Sequence, residues 1–190
     1  MDPNTLNNIG LVASVLAILS HVFYIKAIIN KETKPSRVTW IVWAFLGIII
    51  AVTYYKSGAT TTLWVPIVEA FSYIVIALMS LKYGVGGWTR IDKFAILGVI
   101  ISTIIWKVTG SPMLGLIAAL GVDFMAVIPT IYKTYLDPST EDKIAWLLTA
   151  GGSSLNLIAI NDLHYSVIVY PLYMFTMNSL ITLLIFRKIN

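Results

Sequence analysis

The chain has 190 residues, of which 58% are hydrophobic and only 12% are charged, and its net charge is +4. Soluble domains carry about 45–50% apolar and about 25% charged residues, so this composition excludes a water-soluble globular protein. The absence of cysteine excludes disulfides, thiolate metal sites and thiol nucleophiles.

Seven apolar segments follow one another along the chain, most of them close to the ~20 residues that cross a bilayer. The first has no basic stretch and cleavage site of a signal peptide, so we predict that it is a true span. Helices are expected throughout, because a backbone that faces lipid must satisfy its own hydrogen bonds. The predicted all-α membrane protein therefore has seven transmembrane helices, at about residues 9–29, 37–56, 61–81, 92–109, 113–135, 142–161 and 165–187.

Lysine and arginine are distributed unequally between the two sides of these spans. Eleven of the 13 lie on one side, and only Lys56 and Lys107 lie on the other. The positive-inside rule then predicts a multi-pass protein of the cell membrane with its N-terminus outside and its C-terminus in the cytoplasm. Membrane topology thus explains the basic residues, and the expected partners are the lipid bilayer and a small solute rather than nucleic acid.

An internal repeat relates the two halves of the chain. Pro35 precedes Trp43 by eight residues, and Pro138 precedes Trp146 by the same eight. Both copies start on the same side of the membrane, which indicates a parallel repeat. We predict a first three-helix repeat, a linker helix and a second three-helix repeat, at residues 1–83, 84–111 and 112–190. Chance similarity between two amphipathic loops is the alternative.

This arrangement resembles the PQ-loop/SWEET (MtN3) superfamily, whose signature is a Pro-Gln pair near the cytoplasmic end of the first helix of each three-helix bundle. The second copy here has the run Pro129-Thr130-Ile131-Tyr132-Lys133, with threonine in place of glutamine, whereas residues 22–26 have neither signature residue. The resemblance implies the 3+1+3 architecture, which nicotinamide-riboside-type vitamin transporters and a KDEL-type sorting receptor share. A shared fold does not choose among these functions.

Two acidic residues and one histidine lie deep within the predicted spans. Glu69 is near the centre of the third span, Asp123 near the centre of the fifth, and His21 just past the middle of the first. An ionised group at this depth is costly and normally faces a cavity or a partner. We therefore predict proton coupling through these three residues. The alternative is a hydrogen-bonded group that only holds helices together.

Polar residues also recur at helical spacing on the third, sixth and seventh spans, which indicates an inward face. Close packing of small residues is the competing explanation. In SWEET-like carriers, tryptophans of the second and sixth helices and asparagines of the third and seventh line the pocket, so the resemblance implies roles for Trp43, Trp146 and Asn178, with Tyr73 replacing the third-helix asparagine. The predicted substrate-binding residues are Trp43, Glu69, Tyr73, Asp123, Trp146, Asn156 and Asn178, and the predicted interfacial belt comprises Trp40, Trp64, Trp88 and Trp106.

Three prolines, Pro66, Pro129 and Pro171, fall within predicted spans. Proline removes a backbone donor and bends a helix, so these residues are predicted hinges for alternating access. Static kinks are the alternative.

The leading functional prediction is a transporter of a small polar solute, sugar-like or vitamin-like, that works by alternating access through a midplane pocket. A seven-helix sensor or sorting receptor with the same pocket and no net flux is the alternative. No enzymatic activity, metal or cofactor is expected, because the sequence has no HExxH, GxSxG or paired aspartate motif. A retinal protein is disfavoured by the lack of a lysine in the middle of the seventh span. Oligomeric state is left open.

Overall fold

The computed structural model describes residues 1–32, 35–85, 90–138 and 141–187, without the side chains of residues 90–92, 95, 129 and 133. Each predicted span corresponds to a helix in this part of the chain. The helices are α1 (Pro3–Ile29), α2 (Arg37–Lys56), α3 (Trp64–Tyr83), α4 (Arg90–Thr109), α5 (Pro112–Leu136), α6 (Lys143–Ile158) and α7 (Tyr165–Phe186).

The first helix begins six residues before the predicted boundary. The Asp2 carboxylate accepts hydrogen bonds from the amides of Asn4 and Thr5, each 3.0 Å long, and Pro3 occupies the first helical position. Such a cap satisfies amides that have no partner within the helix. The bonds from the Thr5 hydroxyl and amide hold the pKa of Asp2 below its usual range. Polarity alone had suggested a later start, because residues 4–8 are mostly polar.

Within the described residues, α1, α2, α3, α5 and α7 are long and apolar enough to cross a membrane. Among the described residues of α4, the stretch Ile96–Thr109 is apolar and shorter than these five helices. The sixth helix has 16 residues, about 24 Å at 1.5 Å per residue, which is less than a bilayer core of ~30 Å. The prediction of an all-helical membrane protein is therefore confirmed in this coarser form, and a count of seven spans stays a prediction.

The helices pack in two similar groups. In the first group α3 contacts both α1 and α2, and in the second α7 contacts both α5 and α6. Between the groups, α1 packs against α6 and α2 packs against α5, while α4 packs against α5 and α2. If α1 is exchanged with α5, α2 with α6 and α3 with α7, the same main helix pairs result. The pairs that involve α4 are the exception.

Small residues bring α1 and α6 close together. Ala13 and Ala17 are buried on α1, and a Cβ atom on Gly152 of α6 would lie 3.1 Å from the Ala13 carbonyl oxygen. Nearby, the hydroxyls of Ser20 and Thr149 are 2.8 Å apart. Such residues let membrane helices approach closely and bond across their interface.

Contacts between loops identify the two ends of the helical bundle. At one end, the Arg37 amide donates to the Val85 carbonyl at 3.2 Å, and the Val85 amide donates to the Pro35 carbonyl at 3.0 Å. At the other end, the Thr61 hydroxyl donates to the Ala159 carbonyl at 2.6 Å. The α1–α2 and α3–α4 connections therefore share one end, and the α2–α3 and α6–α7 connections share the opposite end.

Candidate functional site

A cavity lies between α2, α3, α5 and α7, about halfway along these helices. Its volume is about 20 Å³, and a cavity of this size holds about one water molecule. The lining is mainly aromatic and aliphatic, with two carboxyl groups. It consists of Trp43, Leu46, Gly47, Ile50, Pro66, Glu69, Tyr73, Asp123, Tyr170 and Met174. We call this space the central cavity.

One carboxyl group of the central cavity belongs to Glu69 of α3. The residue is 7% exposed, and its Oε2 atom accepts a hydrogen bond of 2.7 Å from the Tyr170 hydroxyl of α7. The bond therefore ties α3 to α7 in the middle of the bundle.

The other carboxyl group belongs to Asp123 of α5. Its Oδ2 atom accepts a hydrogen bond of 2.6 Å from the Tyr173 hydroxyl, also on α7. Tyr170 and Tyr173 are three residues apart, a spacing that puts side chains on one face of a helix. A single helix face thus donates to both carboxyl groups.

An aromatic cluster borders the central cavity on the side of α1 and α2. The ring centroids of Trp43 and Tyr73 are 6.0 Å apart, and Trp40 lies 5.1 Å from Trp43 and 5.8 Å from Tyr73. His21 meets Tyr73 edge-on at 5.4 Å. Its Nδ1 atom lies 2.7 Å from the Ala17 carbonyl oxygen of its own helix, so His21 is a neighbour of the cavity and not part of its lining.

The buried position of Trp40 corrects one prediction from sequence. Its side chain is 7% exposed, and its indole N–H donates to the Tyr24 hydroxyl at 3.3 Å. The expected place in the interfacial belt is therefore wrong for Trp40, whereas Trp64 is 42% exposed. Trp88 lies outside the described residues.

Gly47 lets α2 and α3 approach each other at the wall of the central cavity. A Cβ atom at this position would lie 3.0 Å from the Ala70 Cα atom and 3.2 Å from the Tyr73 Cδ2 atom. Both contacts are tighter than ordinary side-chain packing. The absence of a side chain at Gly47 therefore leaves space for the Tyr73 ring at this wall of the cavity.

A proline in α7 leaves a backbone carbonyl that another helix uses. Pro171 lies inside α7 and has no N–H to donate to the Val167 carbonyl one turn earlier. The Tyr54 hydroxyl of α2 donates to that carbonyl at 2.7 Å and lies 2.6 Å from the Thr62 hydroxyl. The bond satisfies a buried group that lipid cannot satisfy, and it joins α2 to α7.

We expect Tyr54→Phe to destabilise the protein by about 1–3 kcal/mol, because buried groups of Val167 and Thr62 lose their partner. Thermal unfolding of the purified protein would show a lower midpoint. Tyr55→Phe is the matched control, since Tyr55 is 64% exposed. Equal midpoints for the two variants would contradict this role of the Tyr54 hydroxyl.

The structure brings together four of the seven predicted substrate-binding residues and separates the other three. Trp43, Glu69, Tyr73 and Asp123 line the central cavity; Trp146, Asn156 and Asn178 do not. The Trp146 indole N–H donates to Glu141 at 2.9 Å, near the start of α6. The N-caps explain this difference, because Trp146 follows the cap Asp142 by four residues, as Trp40 follows the cap Ser36.

Two buried asparagines lie on α6 and α7 away from the central cavity. Asn156 is fully buried and Asn178 is 7% exposed. In the described part of the chain, both amide atoms of Asn156 and the Nδ2 atom of Asn178 lack a hydrogen-bond partner. A buried polar group without a partner is unfavourable by about 1–3 kcal/mol.

The predicted hinge prolines occupy different positions in their helices. Pro66 is the third residue of α3, where the missing N–H costs no helical hydrogen bond. Pro171 is inside α7. Pro129 falls within α5, but its side chain is outside the described residues. Hinge motion at any of them stays a prediction.

The residues that sequence reasoning missed are Tyr170 and Tyr173. Both lie near the middle of an apolar span, beside Pro171. A tyrosine buried in an apolar setting usually finds a partner for its hydroxyl, and that rule was a usable signal. Its partner could not be named without the packing of α7 against α3 and α5.

Among the residues that the structure describes, no group of three or more histidine, aspartate or glutamate side chains could hold a metal ion. Comparisons of the chain with protein-family models, with curated proteins and with solved structures give no significant match. The resemblance to the PQ-loop/SWEET superfamily therefore rests on topology, repeat and motif alone.

Proposed function

We propose that this protein is an integral membrane transporter that moves a small polar solute by alternating access through the central cavity. One observation carries the proposal. Glu69 and Asp123, from helices in different predicted repeats, line the same cavity with Trp43 and Tyr73. Ionisable groups within a membrane segment are normally associated with a solute or ion pathway.

The packing of the helices supports a 3+1+3 architecture for this transporter. The pairing of α1 with α6 mirrors that of α2 with α5, as expected for two parallel repeats joined by a linker helix. We propose that α4 is this linker and that all seven helices cross the membrane. Membership of the PQ-loop/SWEET superfamily belongs to the same proposal.

The small volume of the central cavity supports a closed conformation of the proposed transporter. At one end of the bundle the Ser166 hydroxyl donates to the Ser57 carbonyl at 2.9 Å, and the Thr61 hydroxyl donates to the Ala159 carbonyl. With the bond from Tyr54 to Val167, these contacts close that end. Alternating access requires that they break when the pathway opens there.

Proton coupling is the second part of the proposal. Within the part of the chain that the structure describes, Glu69 and Asp123 each accept one tyrosine hydrogen bond, and the other oxygen of each carboxyl group is the proposed site for a proton or a solute. His21 contacts Tyr73 and not the carboxyl groups, so any part it takes would pass through that ring.

Uptake into liposomes tests the proposed transport. The purified protein is reconstituted and offered a broad panel of polar solutes, with and without an inward proton gradient, beside protein-free liposomes. Saturable accumulation of at least one solute is the expected result. Saturable binding without uptake would instead favour the sensor or sorting receptor, which keeps the pocket without net flux.

The proposed orientation places the α2–α3 connection outside and the C-terminus in the cytoplasm. Because the chain has no cysteine, a single introduced cysteine reports its own side. In intact cells, an impermeant maleimide should label Thr60→Cys, and it should label Lys82→Cys only after permeabilisation. Both positions are exposed and lie at opposite ends of α3. The reverse labelling pattern would overturn the orientation.

A further inference from the structure

We propose that the solute is a small organic cation, an ammonium or a guanidinium compound, whose charge lies between Glu69 and Asp123. This inference rests on the proposed transport through the central cavity and adds the chemical class of the solute. It follows from the charges, the hydrogen bonds and the aromatic lining of the cavity.

The charge balance around the cavity lacks a cation. The middle parts of the helices that form the cavity contain two acids and no lysine or arginine; these parts are residues 38–55, 65–81, 113–132 and 165–186, and the basic residues of these helices lie at or beyond their ends, at Arg37, Lys56, Lys82, Lys133 and Arg187. Residues 4–25 of α1 and 144–158 of α6 contain no acid, lysine or arginine, and His21 is their only basic side chain. An unpaired buried charge is strongly unfavourable, and a well-oriented partner of opposite sign offsets part of that penalty.

The hydrogen bonds around the carboxyl groups come from neutral donors. Tyr170 donates to Oε2 of Glu69 and Tyr173 donates to Oδ2 of Asp123. These bonds orient both groups without neutralising them. A cationic solute would supply the positive charge and donate to Oε1 of Glu69 or Oδ1 of Asp123. If both carboxyl groups are ionised, a dication balances their charge. If one of them holds a proton, a monocation is sufficient.

The remaining lining favours an organic cation over a metal ion. Trp43, Tyr73 and Tyr170 border the cavity beside Leu46 and Met174. Aromatic faces attract ammonium and guanidinium groups, whereas Mg²⁺ and Ca²⁺ require a shell of oxygen ligands. In addition, the Trp43 indole N–H is buried without a partner in the described part of the chain, so it can donate to a polar atom of the solute.

The test compares charged and uncharged solutes of similar size in the reconstituted protein. Putrescine, agmatine and choline form the cationic set; ribose, xylitol and glycerol form the uncharged set. Both uptake and equilibrium binding are measured for each. We expect at least one cation to bind and enter at least about tenfold better than every uncharged solute, because measured coupling energies of close charge pairs are about 1.5 kcal/mol or more, a value that corresponds to about tenfold.

Two variants test whether Asp123 forms part of the cation-binding site. Asp123→Asn should weaken cation binding by about tenfold or more, and Asp123→Glu, which keeps the charge, should restore much of it. Asp162→Asn is the matched control, since Asp162 is exposed in the α6–α7 connection. Monodisperse elution of each variant on size-exclusion chromatography shows that the variant is folded.

The possible outcomes distinguish a failure of the proposed solute class from a failure of the proposed transport. Uptake of uncharged solutes without cations would overturn the cationic class and leave the transporter. Cation binding without uptake would overturn transport and keep the cationic site. Cation binding that is unchanged in Asp123→Asn would overturn the proposed site, and the absence of both binding and uptake would overturn both proposals.

Discussion

Replacing Glu69 with glutamine is expected to reduce gradient-driven uptake by about tenfold to a hundredfold, the equivalent of one hydrogen bond to a charged group. Glutamine has almost the same volume as glutamate and can still accept the hydrogen bond from Tyr170, so the cavity should keep its shape. It cannot exchange a proton or balance a positive charge. Initial rates of uptake into liposomes, with and without a proton gradient, measure the effect.

Glu32→Gln is the matched control for this variant. Glu32 is exposed in the α1–α2 connection and accepts a hydrogen bond of 3.1 Å from the Asn30 side chain, outside the predicted spans. Its substitution should leave uptake unchanged. If Glu69→Gln kept the full response to the gradient, Glu69 would be structural and the proposed coupling would be wrong.

Gly10→Ala is expected to give the largest loss of stability among conservative changes of small residues. A Cβ atom at Gly10 would overlap the carbonyl oxygen of Thr61, which is backbone and cannot rotate away. The Thr61 hydroxyl also donates to the Ala159 carbonyl at the end of α6, so displacing Thr61 disturbs a second contact. Overpacking of this kind is unfavourable by about 1–3 kcal/mol, and thermal unfolding measures it.

Gly121→Ala is the matched control, because the same change is made in a helix where no atom lies within 4 Å of the new Cβ. It should be neutral or stabilising by up to about 1 kcal/mol, the helix propensity gained over glycine. Equal unfolding midpoints for Gly10→Ala and the wild type would show that Thr61 moves aside freely.

The sequence predicted the helices well because a lipid-facing backbone has few alternatives. Glu69 and Asp123 could be found for a related reason, since an acid at that depth needs a cavity or a partner. The placements that sequence reasoning did not anticipate depend on features of the three-dimensional structure. The N-caps of α2 and α6 set the register that moves Trp146 away from the cavity, and the packing of α7 decides which tyrosine meets which carboxyl group.

The length of α6 marks another limit of prediction from sequence. Ala159 and Ile160 continue the apolar pattern of the predicted sixth span, but the helix ends at Ile158. The Ala159 carbonyl that follows accepts the hydrogen bond from Thr61 of a distant loop. Tertiary contact thus takes over a carbonyl group that the next helical turn would otherwise have bonded.

Tyr170 and Tyr173, on either side of Pro171, connect both acids of the central cavity to the same helix, α7. A rotation or tilt of this helix that carries the Tyr170 hydroxyl away from Glu69 should also shift the Tyr173 hydroxyl relative to Asp123, because only two residues separate the two tyrosines on the same helix. The hydrogen bonds of both acids therefore depend on the position of α7. In the proposed transport cycle, a solute that displaces α7 from one acid would also change the bond to the other acid and the bond between Tyr54 and the Val167 carbonyl.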